Sequence, residues 1–181
     1  MIIDKKRLLI VVDMQNDFID GALGTAEAAA IVPNVRAKLE HYRANGDIIL
    51  FTRDTHSEDY LDTQEGRRLP VPHCVKGAAG WELSPLLDAS GCEIIDKPSF
   101  GSAELVHRVS ALDQDLGGLA SVELVGLCTD ICVIVNALLI KTALPETPVA
   151  VDASCCAGVT PQSHRNALEA MKMCQIDIIN S

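Results

Sequence analysis

Residues 121–144 read SVELVGLCTDICVIVNALLIKTAL, and this stretch decides the fold. Its first part, 121–126, is a short apolar run rich in Val and Leu, which is typical of a buried strand. The apolar residues of 130–144 continue for the length of a helix. A strand that passes into a helix through a short turn is typical of an α/β fold, so we expect this turn at the carboxyl end of a parallel strand.

The same alternation of strands and helices extends along the whole chain. Apolar runs predict six strands, at 8–12, 47–52, 92–96, 121–126, 148–152 and 176–179. Helices are predicted at 26–46, in a short segment after Glu82, and at 102–112, 130–144 and 161–173; Pro33 suggests a later start for the first. Strands that are apolar on both faces imply a covered parallel sheet. The prediction is an α/β, three-layer α/β/α sandwich with a central, mainly parallel six-stranded sheet, in one domain of residues 1–181.

Composition restricts the classes of partner. The 181 residues are 48% hydrophobic and carry a net charge of −10, which repels phosphate backbones and anionic lipids, so we expect neither nucleic acid nor membrane as a partner. The apolar run of residues 8–12 ends at Asp13 and is too short for a signal peptide or a membrane span. The seven cysteines are scattered and odd in number, which favours a reducing cytoplasm over a disulfide framework.

Polar residues follow the predicted strands, where ligands bind in parallel sheets. Asp13, Asp54, Lys97 and Asp152 come after the first, second, third and fifth strands, and the turn of 129–132 comes after the fourth. An aspartate, a lysine and a cysteine at this edge can form one site, in which ionic neighbours would depress the pKa of the thiol.

The turn contains two cysteines with different surroundings. Cys132 begins the following helix, where the helix dipole favours a thiolate, so it is the better nucleophile than Cys128. Two alternatives stay open at this point. The pair could be a dithiol redox site, although its spacing is one residue too long for the usual motif, or Cys132 could be an apolar core residue.

A second group of residues has the chemistry of a metal site. Asp54 and His56 are two positions apart on an extended segment, so their side chains point to one side. His73 follows after an acidic loop, and nitrogen and oxygen ligands of this kind suit Zn²⁺, Fe²⁺ or Mn²⁺. Four carboxylates in the loop could complete the shell: Glu58, Asp59, Asp62 and Glu65. The alternative is two polar loop residues that bond only to each other.

Four segments together resemble a known family. LLIVVDMQNDFIDG (8–21), DKPSFGS (96–102) and VGLCTDICV (125–133) are similar to the three motif segments of the isochorismatase-like cysteine hydrolases, the superfamily that includes the nicotinamidases. FTRDTH (51–56) with LPVPHCVKGAAGWEL (69–83) is similar to the metal-binding segment of the nicotinamidases. The resemblance covers nearly the whole chain and implies the isochorismatase-like hydrolase fold.

The resemblance assigns catalytic roles by position. It implies a triad of Asp13, Lys97 and Cys132, with Cys132 as the nucleophile. It also implies a cis peptide bond before Cys128 and an oxyanion hole formed by the backbone N–H groups of Cys128 and Cys132. Leu127 and Phe18 match positions of the substrate pocket.

The resemblance likewise implies a divalent metal, with zinc as the first candidate and iron or manganese as alternatives. Its ligands map onto Asp54, His56 and His73, with Glu65 as the fourth and Asp62 as the substitute. The sequence departs from many nicotinamidases at 69–70, where Leu and Pro replace an aromatic residue before the second metal histidine.

The implied function is hydrolysis of nicotinamide to nicotinate and ammonia through a Cys132 thioester, a step of NAD salvage. The implied partners are a small amide substrate and further copies of the chain, as a dimer or tetramer. Other amide or carbamoyl-amide hydrolases of the superfamily are the alternative, but they typically lack the metal ligands. True isochorismatases cleave a vinyl ether without the cysteine. A non-catalytic binding protein and a thiol redox protein complete the alternatives.

Overall fold

The structure is a computed structural model that describes residues 5–181, so the expected domain of residues 1–181 begins outside the described residues. Its strands are β1 (Arg7–Val12), β2 (Ile48–Asp54), β3 (Glu93–Lys97), β4 (Ser121–Leu127), β5 (Val149–Ala157) and β6 (Asp177–Ile179). Its helices are α1 (Asn16–Ile19), α2 (Ala26–Ala44), α3 (Gln64–Arg68), α4 (Ala103–Asp115), α5 (Ile134–Ala143) and α6 (Pro161–Met173). A 3-10 turn covers Tyr60–Asp62, and a π-helical turn covers Thr129–Val133.

The six strands form one parallel sheet in the order β3-β2-β1-β4-β5-β6, which confirms the predicted α/β class. One buried apolar cluster packs α4, α5 and α6 on one face, and another packs α1 and α2 on the other. The sheet therefore lies between two helical layers, as the apolar character of both strand faces predicts. No helix within residues 5–181 is both long and apolar enough to cross a membrane.

The strand order changes direction between β1 and β4, which is where ligands bind in open parallel sheets. Val12 is in register with Gly126 across these two strands. Gly126 has φ +116°, and a Cβ atom there would lie 2.1 Å from the carbonyl oxygen of Val12. A glycine is thus required for the close approach of β1 and β4 directly below the candidate site.

Local signals define two helix starts. α2 begins at Ala26 because the Thr25 side chain accepts a hydrogen bond from the N–H of Ala28, so the later start suggested by Pro33 is wrong. Packing of α2 against the sheet stabilises the helix, so that it continues past Pro33. α6 has the predicted bounds, with Pro161 in its first turn and Thr160 as its cap.

The helix predicted after Glu82 is absent from the described residues, and turns take its place. The N–H of Ser84 donates to the carbonyl of Met14 at 2.9 Å, and Leu83 forms a β-bridge with Gln15. The backbone groups of this segment are thus satisfied by the loop after β1, which removes the need for a helix.

Candidate functional site

The structure brings Asp13, Lys97 and Cys132 together at the carboxyl edge of the sheet. The ammonium Nζ of Lys97 lies 2.7 Å from Asp13 Oδ2 and 3.3 Å from Cys132 Sγ. Asp13 and Lys97 are fully buried, and Cys132 is 5% exposed. A buried ion pair in contact with a thiol is an arrangement that can transfer a proton at sulfur.

The loop after β1 aims the carboxylate of Asp13. Asp13 has φ +49°, a left-handed conformation that is uncommon for a residue other than glycine. The hydroxyl of Thr52 donates to Asp13 Oδ1 at 2.7 Å, and the N–H of Asp13 donates to the carbonyl of Thr52 at 3.2 Å. Strained backbone held by such contacts is common at functional sites.

The charges of the three groups follow from burial and contact. Burial raises the pKa of Cys132, the charge of Asp13 raises it further, and Lys97 opposes both. The expected depression of this thiol pKa is therefore wrong for the resting site, because burial and the carboxylate outweigh the ammonium. Burial also raises the pKa of Asp13. Burial lowers the pKa of Lys97, but Asp13, Cys132 and Asp54 together raise it above its usual value. The site thus rests as a neutral thiol beside a charged lysine, and the thiol needs a base.

The nucleophile candidate sits on an unusual turn. The peptide bond between Leu127 and Cys128 is cis, as the resemblance implies. The carbonyl of Cys128 then accepts hydrogen bonds at 3.1 Å from the N–H groups of Ile131 and Val133. The helix predicted from residue 130 therefore begins as a π-helical turn that contains Cys132, and such turns are frequent at functional sites.

The two cysteines of the turn differ in their surroundings. Both border the same cavity, but only Cys132 contacts Lys97. Burial raises the pKa of Cys128 to about 12, and all seven cysteines of the chain are free thiols. The N–H of Cys128 donates to no acceptor within residues 5–181, so it is available to a ligand. The oxyanion-hole role of the two N–H groups stays a prediction.

Asp54, His56 and His73 form the second cluster. Asp54 ends β2, and a β-bridge between His56 and Val75 brings the two loop segments together. The Nε2 of His56 lies 2.8 Å from Asp54 Oδ2, and the Nε2 of His73 lies 3.6 Å from the same oxygen. One ligand atom from each of the three residues can be chosen so that all lie within 4.8 Å of one another. All three are buried.

The donor set fits a divalent cation. Nε2 of His56 is buried, and its 2.8 Å contact with Asp54 Oδ2 does not have hydrogen-bond geometry, so this nitrogen is available as a metal ligand. Nδ1 of His73 pairs with the carbonyl of Val71 at 2.8 Å, which fixes the ring with Nε2 toward Asp54. Glu65 Oε1 lies 3.8 Å from Nε2 of His56 and 3.9 Å from Nε2 of His73. Asp62 is exposed.

The two clusters share one cavity and one lysine. Lys97 Nζ lies 3.3 Å from Asp54 Oδ1 as well as from Cys132. A cavity of about 740 Å³ opens in front of both clusters and is lined by Cys132, His56 and His73 among others. Asp13 and Lys97 lie behind its wall. A small molecule in this cavity could reach the thiol and the imidazoles at once.

The two predicted pocket residues also border the cavity. Phe18 packs on His73 with ring centroids 5.6 Å apart, and Leu127 lies beside the thiols. Leu69, which stands where many nicotinamidases have an aromatic residue, lines the cavity and is 38% exposed. The wall of the cavity is therefore mainly apolar.

Two supporting residues were missed from the sequence. The buried ring of Tyr60 lies 4.7 Å from that of His56 and 5.0 Å from that of His73, measured between centroids. The side-chain amide of Gln15 binds both backbone groups of Asp54, donating to its carbonyl at 2.8 Å and accepting from its N–H at 2.7 Å. Gln15 supports the metal cluster from a distant part of the chain and Tyr60 from within the same loop, and no local pattern indicates either contact.

Asp152 does not belong to the site, so its predicted place at a strand end is wrong. β5 continues to Ala157, because its pairing with β4 shifts register between Leu124 and Gly126 and then resumes. Asp152 consequently lies inside the strand, where Lys38 and Asn180 bind its carboxylate.

Comparisons with known proteins agree with this geometry. The family model of the isochorismatase domain matches residues 7–181. The nicotinamidase/pyrazinamidase of Mycobacterium tuberculosis is 28% identical over 97% of this chain and 99% of its own, and the nicotinamidase of Acinetobacter baylyi is 30% identical over 80% and 79%. The crystal structure of the pyrazinamidase of Pyrococcus horikoshii in complex with zinc superposes with a TM-score of 0.81 at 28% identity, over 97% of this chain and 99% of that one.

Proposed function

The chain belongs to the isochorismatase family, and from this premise we propose that it is a metal-dependent cysteine amidohydrolase acting as a nicotinamidase. One observation carries the proposal: Lys97 contacts both Asp13 and Cys132 at the wall of a cavity that the metal cluster shares. Relatives named nicotinamidase that align over most of their length support the substrate. The reaction is nicotinamide plus water to nicotinate plus ammonia.

In the first half of the reaction, Asp13 takes the proton of Cys132, and Lys97 stabilises the negative charge that moves between them. The sulfur attacks the carboxamide carbon and forms a carbon–sulfur bond. As the carbon–nitrogen bond breaks, Asp13 returns the proton to the leaving nitrogen, and ammonia is released. The raised pKa of Asp13, which burial causes, suits a group that must both take and return a proton.

In the second half, Asp13 takes a proton from a water molecule whose oxygen attacks the thioester carbon. The carbon–sulfur bond breaks, nicotinate leaves, and the proton returns to the sulfur of Cys132. The N–H groups of Cys128 and Cys132 are proposed to bind the oxygen that becomes negative in both halves. The free N–H of Cys128 supports this role.

Asp54, His56 and His73, with Glu65, would hold the metal. A bound divalent cation would act as a Lewis acid that orients the substrate, and the zinc of the Pyrococcus horikoshii pyrazinamidase supports zinc over iron or manganese. Phe18, packed on His73, would hold the pyridine ring against the same end of the cavity.

We also infer a cytoplasmic, oligomeric protein, as a dimer or tetramer, formed by the single domain of residues 1–181. Free thiols, among them the exposed Cys174, suit a reducing compartment. Large exposed apolar side chains such as Leu86 and Met173 offer surface that a second copy could cover.

Ammonia release tests the proposed function. The substrates are nicotinamide, pyrazinamide and a carbamoyl amide, and the proteins are wild type and Cys132→Ala, each assayed before and after chelation. We expect turnover of nicotinamide by metal-loaded wild type alone. If the protein hydrolyses the carbamoyl amide but not nicotinamide, the proposed substrate is wrong. If Cys132→Ala keeps full activity, the proposed mechanism is wrong.

A further inference from the structure

The turn that carries Cys132 is also held by a histidine outside the triad and the metal cluster. The hydroxyl of Thr129 and Nδ1 of His164 are hydrogen-bonded at 2.8 Å. Thr129 is fully buried and lies three residues before Cys132. This contact joins α6 to the π-helical turn.

A second contact fastens the same turn to the loop before α6. Both carboxylate oxygens of Asp130 accept from the N–H of Val159, at 3.1 and 3.2 Å. Gly158 allows this loop to pack against the first turn of α6, since a Cβ atom there would lie 2.9 Å from the backbone nitrogen of His164. Two neighbouring residues of the turn, Thr129 and Asp130, are thus held by α6 and by the loop that precedes it.

The start of α6 fixes where His164 stands. Thr160 and Ser163 form a reciprocal capping box, and the N–H of His164 donates to the carbonyl of Thr160 at 2.9 Å. The imidazole therefore projects from a rigid first turn. Burial lowers the pKa of His164, which keeps the ring neutral and able to accept from or donate to the hydroxyl.

We propose that His164 is a positioning residue of this reaction: through Thr129 it holds the π-helical turn so that the thiol of Cys132 stays in contact with the Asp13–Lys97 pair. This inference rests on the proposed function. Without this hydrogen bond the turn would be held by its junctions with β4 and α5 and by the Asp130–Val159 contact, and the sulfur could leave near-attack geometry. Small displacements of a reacting atom lower kcat more than KM.

The test compares His164→Ala, His164→Asn and Thr129→Val with the control His107→Ala, which removes an exposed histidine of α4. We expect His164→Ala and Thr129→Val each to lower kcat for nicotinamide about tenfold with KM changed less than about twofold. His164→Asn places an amide near the former Nδ1 and should recover most of the loss. Because both partners act through one hydrogen bond, the double variant should lose no more than either single variant.

Alkylation of Cys132 by iodoacetamide, followed by mass spectrometry of its peptide, gives a readout that needs no substrate. We expect slower alkylation in His164→Ala and recovery in His164→Asn, with thermal unfolding recorded for every variant. Unchanged kcat and alkylation in His164→Ala would overturn the proposal, as would a loss that follows the unfolding temperature and is not recovered by asparagine. If His164→Ala does not fold, kcat and the alkylation rate of Cys132 are compared between Thr129→Val and His164→Asn. Values in Thr129→Val that equal those of His164→Asn and wild type would then overturn the proposal. If wild type does not hydrolyse nicotinamide, the proposed function fails, and alkylation alone decides whether His164 positions the thiol.

Discussion

Two lysines of this chain each lie between two carboxylates, and only one of them belongs to the candidate site. Lys97 lies 2.7 Å from Asp13 and 3.3 Å from Asp54. Lys38 lies 2.7 Å from both Glu123 and Asp152. Residue type and contact distance are therefore almost the same in the two clusters.

The clusters differ in their place in the fold and in what surrounds the carboxylates. Asp152 is further bound by Ser154 and Asn180, and the hydroxyl of Tyr42 donates to Glu123 at 2.7 Å. This cluster lies between α2 and the middle of the sheet, and each of its carboxylates has a hydrogen-bond partner besides Lys38. The Lys97 cluster lies at the carboxyl edge beside a thiol and a cavity. A buried ion pair is present in both clusters and therefore does not identify a catalytic site. The position at the carboxyl edge of the sheet, next to a cavity and a thiol, distinguishes the candidate site from the structural network.

The largest expected effect separates the two cysteines beside Lys97. Cys132→Ala should lower kcat for nicotinamide by about 10⁴-fold or more, because the nucleophile is lost. Cys128→Ala should stay within about fivefold, because its backbone N–H remains. Steady-state ammonia release measures both. Equal losses in the two variants would favour the dithiol alternative.

The next effect compares the two lysines directly. Lys97→Met should lower kcat by about 10²- to 10³-fold, since the proton transfer at sulfur loses its cation. Lys38→Met should leave kcat within about twofold and lower the free energy of unfolding by about 3 kcal/mol, because two buried carboxylates lose their partner. Kinetics and urea denaturation of both variants provide the measurements. A loss of turnover in folded Lys38→Met would contradict the assignment of the Lys38 cluster as purely structural.

Metal removal should have a smaller effect on kcat than loss of the nucleophile. Dialysis against a chelator should lower turnover by about 100-fold, with recovery on addition of Zn²⁺. His56→Ala should show reduced zinc content by elemental analysis, whereas His41→Ala, on the exposed side of α2, should keep wild-type content. Full activity of protein shown to be free of metal would contradict the proposed role of the cluster.

The smallest effect concerns the structural network at acid pH. Burial alone raises the pKa of Asp152, but the hydrogen bonds of Lys38, Ser154 and Asn180 and the charge of Lys38 together outweigh burial, so the folded pKa is lower than the unfolded one. The resulting stability is complete above the unfolded pKa of about 3.9 and is lost as the pH falls through the folded pKa. Between about pH 4.5 and pH 2.5, urea midpoints should therefore fall more for wild type than for Asp152→Asn. An equal fall would show that the carboxylate adds no acid-sensitive stability.

Much of the fold could be predicted because its signals are local. All six predicted strands are present, and the bounds of α6 agree because Pro161 and the Thr160 cap are neighbours in sequence. Predictions failed where a distant segment competed for backbone groups. The residues after Glu82 pair with the loop of Met14 and Gln15, and β5 continues past Asp152 because its pairing with β4 resumes after a register shift.

The sequence by itself determined which residues follow the strands, because periodicity and turns depend on neighbours along the chain. Only the tertiary structure decided that Lys97, at the end of β3, reaches across β2 to Asp13, and that Lys38 covers Asp152 elsewhere. It also decided that the thiol of Cys132 rests protonated, contrary to the expectation from charge alone. The physical reason is that burial and the distances between charges set a pKa, and both depend on strand order and packing between residues far apart in the chain.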